Sequence, residues 1–556
     1  MKGLLILLFM VILSPRAITQ QVEHVPFAHP VQDYLDRLGV RGILPQESSS
    51  VRPIERREAR RLLDAANGHR ELLSSVERAT LDKFRTEFAG DLGARFDQDV
   101  VLLGPQRSIG ALAAGLVSDR EKHLFAVFDS SASLVVDLLA SVENRSFHRP
   151  GRSTDVTLGN IGGRFRGTLG GQLGYMLQAT NGVMMGDRAL ALADPRLAGN
   201  FKLNDVESAN FDFTEAYLRL SFGWAGIQFG REFTSVGTGY GDRLLLSGNA
   251  PALDFFSVDA RYRSFRFFFL HGAIRGDDRP GTGLIEQAPA NASKYLAMHR
   301  FQFSLFDVMN IGASEMVVYQ RLTPEYAYLL PINFFKSAEH QLRDRDNALL
   351  AFDIEVFPLS DWKFYGTWVI DDITISRMGT GWWGNEFGWQ AGVCATDILG
   401  WRDVDAIVEY QRLEPYVYSN RTAGNDMTHS NVALGTGLPP NADEVMAECR
   451  WLASPWLTMR VQAAYRRHGM NVMQGDSLLR NVGGSAVQGH RGSDPETAMF
   501  LDGVKETLTR VTLALKYEPV RELYLTGSAE WLHRVVDHTP GSASTLGLRA
   551  GITMEY

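Results

Sequence analysis

The sequence predicts an all-β transmembrane protein, a large antiparallel β-barrel of about 18 strands preceded by a small N-terminal α-helical domain. Apolar and polar residues alternate over segments of about ten residues, which is the length and period of a transmembrane strand. After a short apolar leader, no run of roughly 18 apolar residues remains that could form a membrane helix. The 556 residues are 45% hydrophobic and include 53 glycines, so the chain is too apolar to be disordered.

The charge and cysteine content exclude several classes of protein. The formal net charge is −8, which argues against a partner that is a nucleic acid, because phosphate binding requires a broad basic surface. The two cysteines, Cys394 and Cys449, are too few for a disulfide scaffold or a thiolate metal site.

Residues 1–19 are predicted to be a cleaved secretory signal peptide. Lys2 precedes the apolar run from Leu4 to Leu13, and small residues around Ala17 and Thr19 follow. An uncleaved helical anchor is the alternative, but the run is short for a membrane span. The sequence therefore predicts export, and the bacterial outer membrane as the destination of a barrel.

Residues 20–95 are predicted to form the helical domain, on the periplasmic side and outside the barrel wall. In HPVQDYLDRLGVRGIL, the side chains of Val31, Tyr34, Leu35 and Leu38 share one helical face. A second helix is expected in RPIERREARRLLDAA, with Pro53 in its first turn, and a third around Leu81.

Residues 96–556 are predicted to form the transmembrane β-barrel, because the apolar period changes here to two. The last strand is the clearest: Leu546, Leu548, Ala550 and Ile552 share one face, and the chain stops at Tyr556. A two-faced closing strand with a terminal aromatic residue is typical of bacterial outer-membrane barrels. A soluble β-sandwich also alternates, but it does not place large Trp and Phe side chains on its outer face.

The length of the barrel region predicts the number of strands. Roughly 460 residues at about 25 per strand and connection give about 18 strands. A tight periplasmic turn is expected at Arg263 and Ser264, where the apolar register flips. Long polar connections near 178–212, 275–295, 413–443 and 467–506 are expected to be extracellular loops.

Several runs resemble the capsule-assembly Wzi family of outer-membrane proteins. They occur in the order of that family: GREFTSVGTGYGDRLLLSGNAPALDFFSVDARY from Gly230, HRFQFSLFDVMNIGASEMVVYQR from His299, YLLPINFF from Tyr328, DRDNALLAFDIEVFP from Asp344, FYGTWVIDD from Phe364, and EYQRLEPYVYSNR with LGTGLPPNADE from Glu409 to Glu444. One turn departs from the family pattern, since SVGTGYGD places Val236 and Thr238 where a Trp-Gly-Pro-Gly type of turn is expected.

The resemblance implies a non-enzymatic barrel that binds, anchors or organises capsular or extracellular polysaccharide at the cell surface. It implies no catalytic residue, metal or cofactor. The implied partners are this polysaccharide and outer-membrane lipid, with peptidoglycan or a periplasmic envelope protein as partners for the helices. The candidate ligand-binding residues, drawn from these runs, are Arg231, Tyr240, Asn249, His299, Glu315, Asp346, Asn347, Asp371, Glu409, Tyr416 and Tyr418.

Each chemical signal also has a structural interpretation. Adjacent strand residues point to opposite faces, so Asp371 is expected in the lumen and Asp372 at the start of a loop, which disfavours a glycosidase pair. Glu315 and Glu409 fit the charged lumen lining of any such barrel. Tyr416 and Tyr418 are expected to offer ring faces to sugars, or else to belong to the interfacial aromatic girdle.

Two other functions remain open from the residues. The first is a porin or solute-specific channel, which differs from the polysaccharide-binding function in having an open lumen. The second is a barrel-borne hydrolase, which needs a serine and a histidine side by side. Ser247 and His299 are the available pair, but their spacing does not place them together. His271, His299 and His340 are too scattered in sequence to predict a metal site.

Overall fold

A computed structural model of the chain describes residues 21–46, 50–89, 100–104, 108–129, 131–204, 207–276, 293–422, 424–537 and 542–556. The predicted signal peptide and the predicted boundary near residue 95 lie outside these residues. In the ranges that are described, no helix is both long and apolar enough to cross a membrane.

Eighteen antiparallel strands close into one barrel, as predicted, when the last strand pairs with the first. A further short strand, Phe125–Phe128, extends the sheet beside the start of β1. The barrel strands are β1 Ser133–Arg149, β2 Arg152–Leu169, β3 Leu173–Gly186, β4 Asn210–Ser221, β5 Ala225–Glu232, β6 Leu253–Tyr262, β7 Phe265–Ile274, β8 Ser293–Leu305, β9 Met309–Arg321, β10 Asn347–Leu359, β11 Trp362–Asp372, β12 Glu386–Ala395, β13 Val404–Leu413, β14 Ala442–Ser454, β15 Leu457–Met470, β16 Val504–Val520, β17 Leu523–Val536 and β18 Ala543–Glu555.

The two ends of the barrel differ in the length of their connections. At the turn end the strands are joined by tight turns, including the predicted one at Arg263 and Ser264, where Arg263 has φ 53°. At the loop end the predicted long connections occur at 187–209, 275–292, 414–441 and 471–503. The sequence analysis missed three further loop-end connections, at 233–252, 322–346 and 373–385.

The alternation of side chains follows the predicted faces. Phe352 and Ile354 of β10 are exposed on the outer wall, whereas Asp353 and Glu355 are buried inside. Inside, the Arg300 guanidinium donates to Asp353 (Nη2–Oδ1 2.8 Å), and Lys363 Nζ lies 2.8 Å from Glu355 Oε1. Burying charges in this way is tolerated because each has a close partner of opposite sign.

Three helices form a small bundle near the N-terminus: α1 Val31–Val40, α2 Arg56–Asn67 and α3 Ser75–Glu87. Their predicted apolar faces pack into one core with Val31, Leu63 and Phe84 at its centre. Helix α3 begins with a capping box, in which Ser74 Oγ accepts from Glu77 N (3.0 Å) and Glu77 Oε2 accepts from Ser74 N (2.7 Å). Pro53 does not open α2, because the helix starts three residues later.

The bundle lies across the turn-end opening rather than beside the wall. Arg37 of α1 reaches the inward-facing Asp405 of β13 (Nε–Oδ1 3.0 Å). Lys83 of α3 forms an ion pair with Glu518 next to the turn that follows β16. The chain on either side of α1 enters the lumen, where Ser50 contacts Gln302 and Arg300. The bundle is therefore docked on the barrel: several polar groups of the bundle and of its flanking segments find their partners inside the lumen.

Three smaller groups of elements complete the secondary structure of the described residues. The remaining α-helices are Ile109–Leu116, Arg188–Leu192, Pro195–Ala198, Phe201–Asn204, Tyr326–Leu329 and Phe335–Gln341. The 3-10 turns are Arg70–Leu72, Ile375–Arg377 and Ile398–Gly400. The short strand pairs outside the barrel are Val51–Arg52 with Ser235–Val236, Val100–Val101 with Lys122–His123, Thr428–His429 with Val432–Ala433, and Val472–Gln474 with Ser477–Arg480.

The docking of the bundle is expected to loosen in acid. Burial raises the pKa of Glu58, but Arg61, Arg261 and Arg266 outweigh that effect and lower it to about 2. The pKa of Glu87 is also lowered, because His29 and Arg521 outweigh its burial. A carboxylate with a depressed pKa stabilises the folded state above its ordinary pKa of 4.5 and loses that contribution as the pH falls toward 2.

Limited proteolysis of the detergent-solubilised protein measures this docking. We expect the bundle to resist cleavage from pH 7 to about pH 5 and to become cleavable between about pH 4 and 2, while the barrel stays folded in heat-modifiability gels. Glu58→Gln should weaken docking at pH 7 and flatten the acid response. A bundle that is equally protected at pH 7 and pH 2 would contradict this account.

Candidate functional site

A segment between β5 and β6 folds into the lumen and closes it. This lumen insert, residues 233–252, contains Leu244, Leu245 and Leu246, which are almost completely buried. They pack with inward-facing strand residues such as Leu270 and Met298 in a continuous apolar core. A core of this kind excludes water from the loop-end half of the barrel, so that half does not form an aqueous channel.

The insert is held by polar groups that the sequence analysis proposed as ligand-binding. Glu409 accepts from Tyr365 Oη (2.6 Å) and from the backbone N–H of Tyr240 (3.1 Å). Thr238 shares a hydrogen bond with Thr367 of the wall (3.0 Å), although it departs from the family turn. Asn249 lies in the insert, where its N–H donates to Ser247 Oγ (3.3 Å). Tyr240 and Glu409 thus hold the insert from inside the barrel, remote from the outer surface.

Tyr416 and Tyr418 do not offer ring faces to solvent, contrary to expectation. Both are almost fully buried in the loop-end connection 414–441. Tyr418 Oη donates to the carbonyl of Leu244 (2.6 Å), and Tyr416 Oη donates to the carbonyl of Asn481 (3.3 Å). Burial raises the pKa of both phenols above the ordinary value. They hold loops together and belong neither to an exposed platform nor to an interfacial girdle.

His299 and Glu315 lie on the outer face of the barrel, which corrects the expectation that Glu315 lines the lumen. The two side chains are paired (Nε2–Oε2 2.9 Å) and buried. They are covered by residues 322–346, which fold back over the outer wall. Ser247 lies inside the barrel, where Leu434 accepts its hydroxyl. The barrel wall therefore separates Ser247 from His299, and the two cannot act together in hydrolysis.

Arg231 also lies on the outer wall, near the loop end of β5. Its guanidinium pairs with Asp254 of β6 (Nε–Oδ1 2.6 Å), and both side chains are partly exposed. An exposed cross-strand pair of this kind contributes little to stability.

Three of the proposed residues, Asp346, Asn347 and Asp371, meet in a pocket at the loop-end rim. This rim pocket has an empty volume of about 530 Å³, and Trp383, Glu386 and His490 also line it. Four loop-end connections and the ends of β10, β11 and β12 form its walls. Asp371 keeps the inward parity of Tyr365 and Thr367 on β11, and a register shift between β11 and β12 lies between Ile370 and Asp372, next to Glu386.

Asp371 is the most unusual group in the rim pocket. It is only 4% exposed, and its Oδ2 accepts the backbone N–H of Tyr418 (2.5 Å). Its Oδ1 has no hydrogen-bond partner among the described residues. By contrast, Asp346 is matched by Arg321 (2.9 Å) and Tyr328 Oη (2.8 Å). A buried carboxylate oxygen without a donor is suited to accept a hydroxyl from a ligand.

An aromatic wall faces these polar groups. Trp383 is partly exposed and stacks on His490, with ring centroids 3.9 Å apart and an interplanar angle of 3°. The Asn347 side chain donates to the carbonyl of Ser419 (3.3 Å), which positions its amide at the pocket edge. The sequence analysis missed Trp383 and His490, because they lie in loops far apart in sequence and carry no periodic signal.

One group of side chains beside the pocket has the composition of a metal site. Glu339, His340 and Asp344 bring their ligand atoms within 4.8 Å of one another. However, Lys336 Nζ lies 2.8 Å from Glu339, and Arg421 lies 3.2 Å from Asp344. These cations already compensate the two carboxylates.

Comparison with known proteins identifies the family. The sequence model of the capsule assembly protein Wzi family matches residues 139–533, from β1 into β17. Among solved structures, Wzi of Escherichia coli, an outer-membrane protein involved in group 1 capsule assembly and a carbohydrate-binding β-barrel, matches with a TM-score of 0.57 and 14% identity, over 96% of this chain and 99% of that chain.

Porins give lower scores. A BenF-like porin from Pseudomonas fluorescens Pf-5 has a TM-score of 0.44 and 10% identity, over 76% of this chain and 99% of that one. OprD of Pseudomonas aeruginosa has a TM-score of 0.41 and 12% identity, over 76% and 95%. No curated protein sequence matches the chain. On the strength of a family match that covers most of the barrel, the chain belongs to the capsule assembly protein Wzi family.

Proposed function

We propose that this outer-membrane barrel binds capsular or related extracellular polysaccharide at the cell surface, through the rim pocket, and performs no catalysis. The observation that carries the proposal is the pocket itself, in which an aromatic ring and unsatisfied polar groups sit above a sealed lumen. Sugar rings stack on aromatic faces and donate hydroxyls to carboxylates, so both halves of the pocket suit a glycan.

The family and the related structure support the same function. The Escherichia coli protein of this fold is a carbohydrate-binding barrel involved in capsule assembly. We place the loop end at the cell surface and the bundle of residues 20–95 in the periplasm, because outer-membrane barrels carry short turns on the periplasmic side. The apolar core around the lumen insert disfavours the alternative function as a porin.

The proposed partners of the periplasmic bundle are peptidoglycan or another envelope protein. Exposed residues of α2 and the following turn, including Asp64, His69 and Glu71, give such a partner an accessible surface. The polysaccharide binds at the other end of the molecule, so the two interactions do not compete for a surface.

Replacing Trp383 by Ala is expected to weaken polysaccharide binding at least about tenfold, which corresponds to about 1.4 kcal/mol of lost stacking. Asp371→Asn should weaken it by about three- to tenfold, since the amide is a poorer acceptor for sugar hydroxyls. The measurement is binding of purified capsular polysaccharide to full-length protein immobilised in detergent. In cells, both variants should release polysaccharide into the medium while its synthesis continues.

Trp401→Ala provides a matched control. Trp401 is 67% exposed, but it lies in a connection at the turn end, away from the rim pocket. Its loss should leave binding unchanged. Equal binding by the Trp383 and Trp401 variants would refute the rim pocket as the glycan site.

A further inference from the structure

We propose that residues 322–346 form a flap whose tip is immersed among the acyl chains of the outer leaflet, as part of the lipid-facing surface. The flap follows β9, folds down over the outer wall and returns to the rim through α4 Phe335–Gln341. This inference is independent of the polysaccharide-binding proposal.

The wall beneath the flap is unlike the rest of the lipid-facing surface. Outward-facing positions of β7, β8 and β9 carry His271, His299, Glu315 and Tyr319, all of them buried. His271 Nε2 and Tyr319 Oη are 2.8 Å apart, and Glu315 is ion-paired with His299. Ionisable groups in contact with hydrocarbon are costly, so this part of the wall requires a cover.

The flap supplies that cover through its backbone as well as its side chains. His299 Nδ1 donates to the carbonyl of Pro331 (3.0 Å), and Glu315 accepts the backbone N–H of Phe335 (2.8 Å) at the start of α4. The rings of Phe335 and His299 stack with centroids 4.4 Å apart. Tyr328 and Phe335 are fully buried against the wall.

The depth of this contact places it in the membrane. His299 is the middle residue of β8. His299 therefore lies six residues from the turn end of β8, and six residues of a strand tilted by about 40° span about 15 Å along the barrel axis. This height falls inside an apolar band that is about 25 Å tall. Glu315 pairs with Leu350, two residues from the lipid-facing Phe352.

The outer surface of the flap tip has the composition that lipid contact requires. The segment from Tyr326 to Phe334 reads YAYLLPINF and contains no charged residue. Its exposed side chains are large and apolar, with Tyr326 85%, Ile332 74% and Phe334 57% exposed. The charged residues of the returning segment include Lys336, Glu339, Asp344 and Asp346, which line the rim pocket. Because the tip is continuous with the lipid-facing wall and lacks charge, we identify its occupant as lipid.

The test uses a fluorophore attached to a cysteine at position 332 of the full-length barrel in phospholipid vesicles, in a background with Cys394→Ser and Cys449→Ser. The reference is a chain that carries only Cys394→Ser and is labelled at its native Cys449, which is exposed on the outer wall. We expect nitroxides on the lipid chains to quench the label at position 332 to within about twofold of the label at Cys449. Aqueous iodide should quench it at least about fivefold less than a label on Ser477→Cys, in an exposed loop. Tyr326→Cys carries the same expectation and serves if the first variant does not fold.

Two outcomes would overturn the proposal. Iodide quenching at position 332 equal to that at position 477 would place the tip in water. Protection from both quenchers, with dimers on cross-linking, would identify a second copy of the chain as the occupant. Neither result depends on polysaccharide binding, which is measured separately.

Discussion

Deleting residues 237–248 is expected to turn a closed barrel into a conducting one. These residues form the centre of the lumen insert, and their three leucines occupy the apolar core that closes the loop-end half. The turn-end half retains cavities with empty volumes of about 1090 and 1490 Å³ between the bundle and the wall. The insert packs in the loop-end half together with residues of the 414–441 connection such as Tyr418 and Leu434. In planar bilayers the intact protein should pass little steady current, and the deletion, bridged by a short Gly-Ser linker, should pass at least about tenfold more.

The control is a deletion in a loop that does not enter the apolar core. Residues 473–479 form the tip of an exposed hairpin, and their removal should leave the barrel closed. A large, stable current through the intact protein, together with unchanged polysaccharide retention in a deletion strain, would favour the porin function over the proposed one.

Phe352→Arg is expected to destabilise the barrel by about 2–4 kcal/mol, because it places a charge on the lipid-facing wall near mid-membrane depth. Phe352 is 47% exposed on the outer face and neighbours Trp368 (ring centroids 6.3 Å). Folding titrations in lipid vesicles with urea measure the change. Leu359→Arg, at the turn end of the same strand, should cost only about 0–1 kcal/mol.

Equal losses of stability at positions 352 and 359 would mean that the assigned membrane depth of these residues is wrong.

Substitutions on the inner face of the barrel act through buried ion pairs. Glu355→Gln should also destabilise the fold, because it removes the carboxylate 2.8 Å from the buried Lys363 ammonium and leaves Asp36, at 3.6 Å, as a more distant ion-pair partner.

Sequence alone predicted the architecture of the barrel. The period of two, the inward and outward parity of β10, β11, β13 and β18, the number of strands and the turn at Arg263 all follow from local patterns. These features are readable because lipid meets the outer face of most strands, so most outward positions are constrained in the same way. The apolar faces of α1, α2 and α3 were readable for the equivalent reason.

Only the tertiary structure showed where the loops pack, and therefore which residues form the rim pocket. Leu244, Leu245 and Leu246 could not be assigned to a lumen core, because a loop carries no period that indicates its neighbours. Glu315 was expected in the lumen because carboxylates rarely face lipid, yet the flap from a distant loop buries it on the outer wall. Asp371 was expected in the lumen and does lie there, whereas Trp383 and His490 join it only through loop packing. Local periodicity determines which face a strand residue occupies, but long-range contacts determine what covers that face.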